Sequence, residues 1–240
     1  MKKILERKEE LHKEWPIQGS SGYDFLALVN NLFTYNPGIT TLENFYKTLD
    51  ISEPDPQELI YKSKKKILLE SFRADWNNLF RMLENSGLVE FNSSLSPNNM
   101  KEALGEFLVN CPVYKLYSSS IPLDPEDKVI VKEILERSAK RNPQLTPSLR
   151  VLENIFLNPS SDEEKNKLTA SVFQRCMQYT GPLTAKGIED TAMYAWCSFL
   201  AHNEVGDAID ARGITIPDFH KKMIEKTKIP SPFYQRNSNS

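Results

Sequence analysis

Between Thr180 and Gly206 the chain sets an ammonium, four acidic or amide groups and a phenol around one short apolar run. In order they are Lys186, Glu189, Asp190, Tyr194, Asn203 and Glu204. Read alone, the stretch suggests a polar pocket. Glu189 and Asp190 are the obvious candidates for acid and base work. As neighbours on a helix, however, they diverge by about 100° and do not face one substrate together. The spacing fits two acids in the first turn of a helix that starts after Gly187, where the helix dipole favours negative charge. Lys186 lies just before that helix, placed either to bind a substrate hydroxyl or to hold Glu189 or Asp190 in an ion pair. Asn203 and Glu204 follow the helix end, with Gly206 as its stop. Side chains there either satisfy free carbonyls or reach into a pocket.

Other chemistry is thinly represented. The bracketed loop Gly19-Ser20-Ser21-Gly22 leads into Tyr23-Asp24-Phe25, but neither GxGxxG nor GxxxxGK[ST] occurs, so no recognised phosphate cradle is present. His12, His202 and His220 show no i,i+4 pairing, which predicts no metal site and no metal cofactor. No Ser/His/Asp or Cys/His nucleophile set stands out as a motif. Cys111, Cys176 and Cys197 are far apart in apolar surroundings, which predicts reduced, mostly buried thiols in a cytoplasmic protein. A net charge of −2 gives no reason to expect nucleic acid or an anionic membrane as partner. The basic run Lys62 to Lys66 reads as a solvated helix face. No apolar run reaches the roughly 18 residues a membrane span needs, and the charged N-terminus lacks the apolar core of a secretory signal.

The elements that must position these residues are helical. Ile60, Ile67, Leu68, Phe72, Trp76, Leu79, Phe80 and Leu83 share one face, predicting a single helix over about Pro56 to Asn85 with Gly87 as its stop. Ser96-Pro97 opens a helix over Met100 to Val109. A third, Pro125 to Arg141, carries Val129, Ile130, Ile134 and Leu135 on one side. Acids in the first turn after Ser161 open a fourth, with Leu168, Val172, Phe173 and Met177 inward. Ile188, Ala192, Ala195, Trp196, Phe199 and Leu200 make a further helical face, and Phe219, Met223 and Ile224 a short last helix after Pro217. Cys111 to Tyr117 alternates weakly, as a short strand or an extended segment. Gly38 to Thr41 and Asn92 to Ser96 read as loops.

Four segments, in order and at matching spacing over about residues 2 to 227, together resemble the malto-oligosyltrehalose synthases, amylase-like enzymes. They are Met1 to Leu5 through Trp15-Pro16 to the Gly19–Leu26 run, then Cys111 to Tyr117, then Thr180 to Gly206, then Phe219-His220 with its basic helix. The resemblance implies a mainly α structure: an irregular helical domain elaborating a (β/α)8 barrel, with few short strands. It divides the chain into a barrel-derived segment at 1–35, a helical subdomain at 36–178, a barrel-associated helix at 179–227 that carries Lys-Gly-Ile-Glu-Asp, and a tail at 228–240 outside the family pattern. It also implies that Tyr23, Asp24, Lys186, Glu189, Asp190, Asn203 and Glu204 lie toward a malto-oligosaccharide. Met193, Ala195 and Trp196 depart from the family's usual Phe and Arg-Tyr, which puts sugar contacts there in doubt.

The same resemblance implies what is missing. Retaining glucosyl transfer needs two nearby carboxylates that attack and protonate in turn. The family's nucleophile would lie upstream, its acid/base position matches Lys2, and its third carboxylate would follow Phe219-His220 in a Thr-His-Asp motif. No catalytic residue is therefore expected here. A back-translation of the tail after Lys228, moved by one base, reads toward the family's Asn-Ala-Thr and Thr-His-Asp. The expectation is a frameshifted, catalytically incomplete piece of the enzyme. The alternatives are a non-enzymatic malto-oligosaccharide-binding or interaction module, or one half of a split enzyme. Apolar surface near Tyr23 to Phe25 and near Ala185 to Met193 is expected to be exposed, favouring self-association or a complementary enzyme fragment.

Overall fold

The computed structural model describes residues 22–49, 55–93, 95–197 and 199–227. The expectations for Met1 to Ser21, including Lys2 and the Gly19 loop, and for the tail after Lys228, lie outside them. The chain divides into two compact units, residues 60–190 and residues 1–59 with 191–240. In order the helices are α1 (Tyr23–Leu32), α2 (Asn36–Lys47), α3 (Pro56–Glu70), α4 (Arg73–Asn85), α5 (Pro97–Val109), α6 (Pro125–Arg141), α7 (Thr146–Leu157), α8 (Glu163–Thr184), the single turn α9 (Met193–Ala195) and α10 (Ile216–Thr227). The fold is mainly α, as expected. Among the described residues the extended pairing is one isolated bridge, between Asn92 and Leu95.

The larger unit is built around α5. From Ala103 to Val109 every residue is buried, so this helix is apolar nearly all round and packs against α4, α6, α7 and α8. Phe107, Phe156 and Phe173 make an aromatic row at centroid distances of 5.3 and 5.4 Å, joining α5, α7 and α8. Ser96 caps α5, its hydroxyl accepting from the Asn99 amide at 3.1 Å. Asp162 caps α8 through the Glu164 amide at 2.9 Å, with Glu163 and Glu164 in the first turn as expected.

Four sequence expectations change here. The helix from Pro56 to Asn85 is two helices, because the Phe72 amide reaches back to the Ile67 carbonyl at 3.1 Å and closes α3. Phe72 then starts α4, its carbonyl accepting from the Trp76 amide at 2.9 Å. No Gly or Pro marks the break, so the apolar period runs through it. On α6, Val129 is exposed, and the inward face is Asp127, Val131, Ile134, Leu135 and Ser138. On α8, Thr169 takes the inward place expected for Leu168, which is exposed. Lys64, in the run read as solvated, is 1% exposed. Its register explains this, since Ile60, Lys64 and Leu68 are spaced by four along α3.

Cys111 to Tyr117 is extended without a ladder, and side chains take its backbone groups. The Asp127 carboxylate accepts from the Tyr117 and Ser118 amides at 3.0 and 2.8 Å, and Thr180 Oγ1 donates to the Tyr114 carbonyl at 2.9 Å. Cys111 and Cys176 are buried, and burial pushes the Cys176 thiol well up, with Cys111 adding to the effect. Cys197 is exposed, where the helix predicted through it has ended at Ala195 and Trp196 is extended, so two of the three thiols are buried.

The smaller unit is organised differently. The main apolar cluster draws only on residues of the larger unit. Here the Asn31 amide donates to Asp207 at 3.0 Å, Arg212 pairs with Glu43 at 2.7 Å, and the Asn36 side chain exchanges two bonds with the Gly213 backbone. Gly38 to Thr41, expected as a loop, lies in α2. Pro37 starts that helix, Ile39 is buried, and the Thr41 hydroxyl bonds back to the Pro37 carbonyl at 2.9 Å. Phe25 and Leu26 are exposed as expected. Ala192 and Met193 are buried, against the exposure expected there. Among the described residues no helix is long and apolar enough to cross a membrane.

A buried polar cluster joins α3, α5 and α6. Glu106 accepts from the Tyr61 hydroxyl at 2.9 Å, from Lys65 at 2.8 Å and from Asn110 at 3.2 Å, while the Arg141 guanidinium lies 3.8 Å from the Tyr61 ring centre. Burial, with the Glu106 charge, raises the Tyr61 pKa above 10.0. For Lys65, burial pulls downward, but the hydrogen bond and charge of Glu106 outweigh it and the net shift is upward from 10.5. Both groups therefore hold their proton more tightly folded than unfolded. Their contribution is complete below 10.0 and is lost as pH climbs through the raised values. Urea midpoints are expected to hold up to about pH 10 and to fall above it, and less so in Lys65→Met. Glu106→Ala leaves a cation half-buried without its main partner and should cost about 3 kcal/mol by the same measurement.

Candidate functional site

In the larger unit the candidate site forms where α8 changes its winding. Gly181 and Pro182 do not stop α8. The chain takes Pro182 inside the helix, losing one N–H from the ladder, and three residues later widens into π-helical turns over Ala185–Ala192. Lys186, Glu189 and Asp190 thus stand inside a continuous helical run. This corrects the expectation of a new helix after Gly187. It also corrects that of a helix through Leu200, since α9 ends at Ala195 and a 3₁₀ turn occupies Leu200–His202.

Gly187 is needed for contact rather than for a helix start. A Cβ at this position would lie 2.5 Å from Lys64 Cγ and 2.8 Å from Lys64 Cα. The π-helical run therefore lies directly on α3. The buried Lys64 ammonium donates to the Cys111 carbonyl at 2.8 Å and to Thr184 Oγ1 at 3.3 Å. It fixes the start of the extended segment against the end of α8, which puts Tyr114 within reach of Glu189.

Each acid in the pair has its own protein partner. Glu189 accepts a hydrogen bond from the Tyr114 hydroxyl. Asp190 pairs with Lys186 at 2.5 Å near solvent, one of the two roles expected for the lysine. That hydrogen bond and the Asp190 charge raise the Lys186 pKa. The two neighbouring carboxylates are thus engaged with different partners. They form a polar wall with a phenol, two carboxylates and an ammonium. Among the described residues no group of three His, Cys, Asp or Glu side chains could hold a metal.

In the smaller unit the remaining candidates are placed as follows. Asp24, in the first turn of α1, pairs with Lys226 of α10. Tyr23 packs under Gly206, where φ is +86° and a Cβ would lie 2.7 Å from Tyr23 Cβ, so the turn at Glu204–Asp207 requires glycine on both counts. Asn203 donates to the Met193 and Trp196 carbonyls at 2.6 and 2.7 Å. It satisfies the carbonyls freed where α9 ends, one of its two expected roles. The Glu204 carbonyl closes the turn by accepting from the Asp207 amide at 3.0 Å. Tyr114 and Lys64 were missed as site residues. Lys64 could have been found from its inward register, whereas nothing local in the sequence pairs Tyr114 with Glu189.

Neither a family model nor a curated protein matches the sequence. Solved structures do. The chain superposes on maltooligosyltrehalose synthase from Arthrobacter ramosus with a TM-score of 0.77 and 22% identity, covering 95% of this chain and 27% of that one. It is similar to the DSM5389 glycosyltrehalose synthase with a TM-score of 0.66 and 25% identity, over 93% of this chain and 25% of that one. The fold is that of a maltooligosyltrehalose synthase segment. A further crystal structure of maltooligosyl trehalose synthase matches with a TM-score of 0.58 and 23% identity, over 93% and 24% of the two chains. The chain thus spans about a quarter of the length of the maltooligosyltrehalose synthase structures it matches.

Two substitutions test the local geometry. Gly187→Ala forces a methyl against the Lys64 backbone and should cost about 1–3 kcal/mol in thermal or urea unfolding. Tyr114→Phe removes a hydrogen bond to a carboxylate and should cost about 1.5 kcal/mol in the same assay.

Proposed function

We propose that this chain is the helical elaboration of a malto-oligosyltrehalose synthase and forms a substrate-side wall of its glucan cleft. The observation that carries the reading is the match in fold over nearly the whole chain, at a TM-score of 0.77. The reaction is an intramolecular transglucosylation, an isomerisation that converts a terminal α-1,4 bond of a malto-oligosaccharide to an α,α-1,1 trehalose linkage. In this reading Lys186, Glu189 and Asp190 in the larger unit, and Tyr23, Asp24, Asn203 and Glu204 in the smaller, line the sugar side. The attacking and protonating carboxylates come from polypeptide outside the described residues. The described chain alone is then inactive. The free thiols support a reducing, cytoplasmic compartment.

The engagement of both Glu189 and Asp190 with protein partners favours a second role for the same wall, that of a malto-oligosaccharide-binding module without catalysis. A split-enzyme half is the third arrangement. A trehalose-forming assay with a complementary chain decides the last: a split-enzyme half expects product there, and the other two readings expect none. Calorimetry separates those two, since a binding module expects saturable malto-oligosaccharide binding and an incomplete segment only weak binding. By calorimetry, Glu189→Gln and Lys186→Met should each weaken malto-oligosaccharide binding by about 1 kcal/mol. Unchanged binding in both variants would remove these residues from the wall.

A further inference from the structure

In the smaller unit, α2 buries one face and leaves a second apolar face open. Ile39 is 1% exposed, and Glu43 and Tyr46, which follow it at helical spacing, are half-buried. About a quarter turn round the helix runs another stripe, from the N-cap Tyr35 through Gly38, Leu42 and Phe45 to Leu49 just past the helix end. Its spacings of three, four, three and four are those of a seam that packs on another helix. Yet Tyr35 is 74% exposed, Phe45 61%, Leu42 48% and Leu49 47%. Phe33, 83% exposed, extends the patch, because it lines one cleft with Tyr35, Gly38 and Leu42.

Size, charge and symmetry point to the occupant. The three open rings present on the order of 400 Å², at the roughly 200 Å² that one aromatic side chain can bury. With the two leucines the patch reaches about 600 Å², the top of the range that monomers expose. A standard interface takes about 800 Å² from each partner, which the stripe and a polar rim supply together. That rim includes Thr41 and Thr48, both exposed and uncharged. The charges of α2, Glu43 and Lys47, stand on the far side of Ile39. The α2 of a second copy therefore brings no charge to the seam. The stripe is also balanced about Leu42, with Tyr35 and Leu49 seven residues to either side, Gly38 four before and Phe45 three after. Two copies of α2 laid antiparallel across a twofold axis at Leu42 set the Phe45 of each against the glycine of the other. The Tyr35 ring walls that gap, its Cδ1 3.3 Å from where a Cβ on Gly38 would stand. Large side chains then meet small ones, as knobs meet holes.

We infer that this face joins two copies of the chain in an isologous dimer, α2 against α2 with Leu42 on the axis. The stripe holds none of the residues assigned to the sugar side, so the inference stands apart from the proposed function. The test is sedimentation velocity of the full chain across micromolar concentrations, where a mass of twice 27.6 kDa is expected at the upper end. Phe45→Ser and Leu42→Lys should each raise the dissociation constant at least about tenfold, with an unchanged circular dichroism spectrum. Thr40→Lys, on the far side of Ile39, should leave it as it is. Leu42→Glu alone should dissociate the dimer too. An equimolar mixture of Leu42→Lys and Leu42→Glu should associate again, because the axis then sets opposite charges together. A monomer at every concentration overturns the inference, including one that binds a complementary enzyme chain instead. So does a dimer that Phe45→Ser and Leu42→Lys leave intact, or a mixture that fails to reassociate.

Discussion

A lysine ammonium in the dry interior of the larger unit sets the geometry of the candidate wall. Lys64 gives up hydration on entering the core, a cost that hydrogen bonds from the surrounding protein must offset. Its bonds to the Cys111 carbonyl and the Thr184 hydroxyl do so while joining two pieces of chain far apart in sequence. The same side chain is the floor on which Gly187 rests. Tyr114, Glu189 and Lys186 owe their positions to that arrangement. An aliphatic residue at this position would fill the space but would not specify where the extended segment begins or where α8 ends.

Local chemistry made part of this legible in the sequence. Ser96 and Asp162 declare helix starts through side-chain oxygens that accept from nearby amides, and α6 begins and ends where its proline and last basic residue suggested. These signals need only a few neighbouring residues. The break at Ser71-Phe72 leaves no such mark, because an amide reaching one residue further back is available to any side chain. The π-helical run was hidden too. Its apolar and charged residues fit an ordinary helix start equally well, and its winding follows from what it packs on. The pairing of Glu189 with Tyr114 spans 75 positions and is set by Lys64 and Thr180 rather than by spacing.

The two units solve the problem of stability by different means. In the larger, a central helix buried on all sides closes one apolar cluster, and its polar members, Glu106 above all, are enclosed and bonded. In the smaller, Phe25, Phe33 and Phe45 remain exposed while Asn31, Asn36, Arg212 and Asp207 join elements through polar contacts. This leaves aromatic surface for ligands or for further polypeptide, and the chain corresponds to only about a quarter of the enzymes whose fold it shares.

The ion pair between Asp24 and Lys226 makes the position of α10 on α1 a matter of ionic strength. Both side chains remain partly open to solvent, at 20% and 32%, so dissolved ions compete with the pair and weaken it as salt rises. Beneath Tyr61, by contrast, the glutamate of the Lys65–Glu106 pair is only 2% exposed, although its lysine is 21% exposed. Moderate salt would therefore loosen α10 while the larger unit keeps its packing, giving a protein whose two parts respond to the same electrolyte on separate scales.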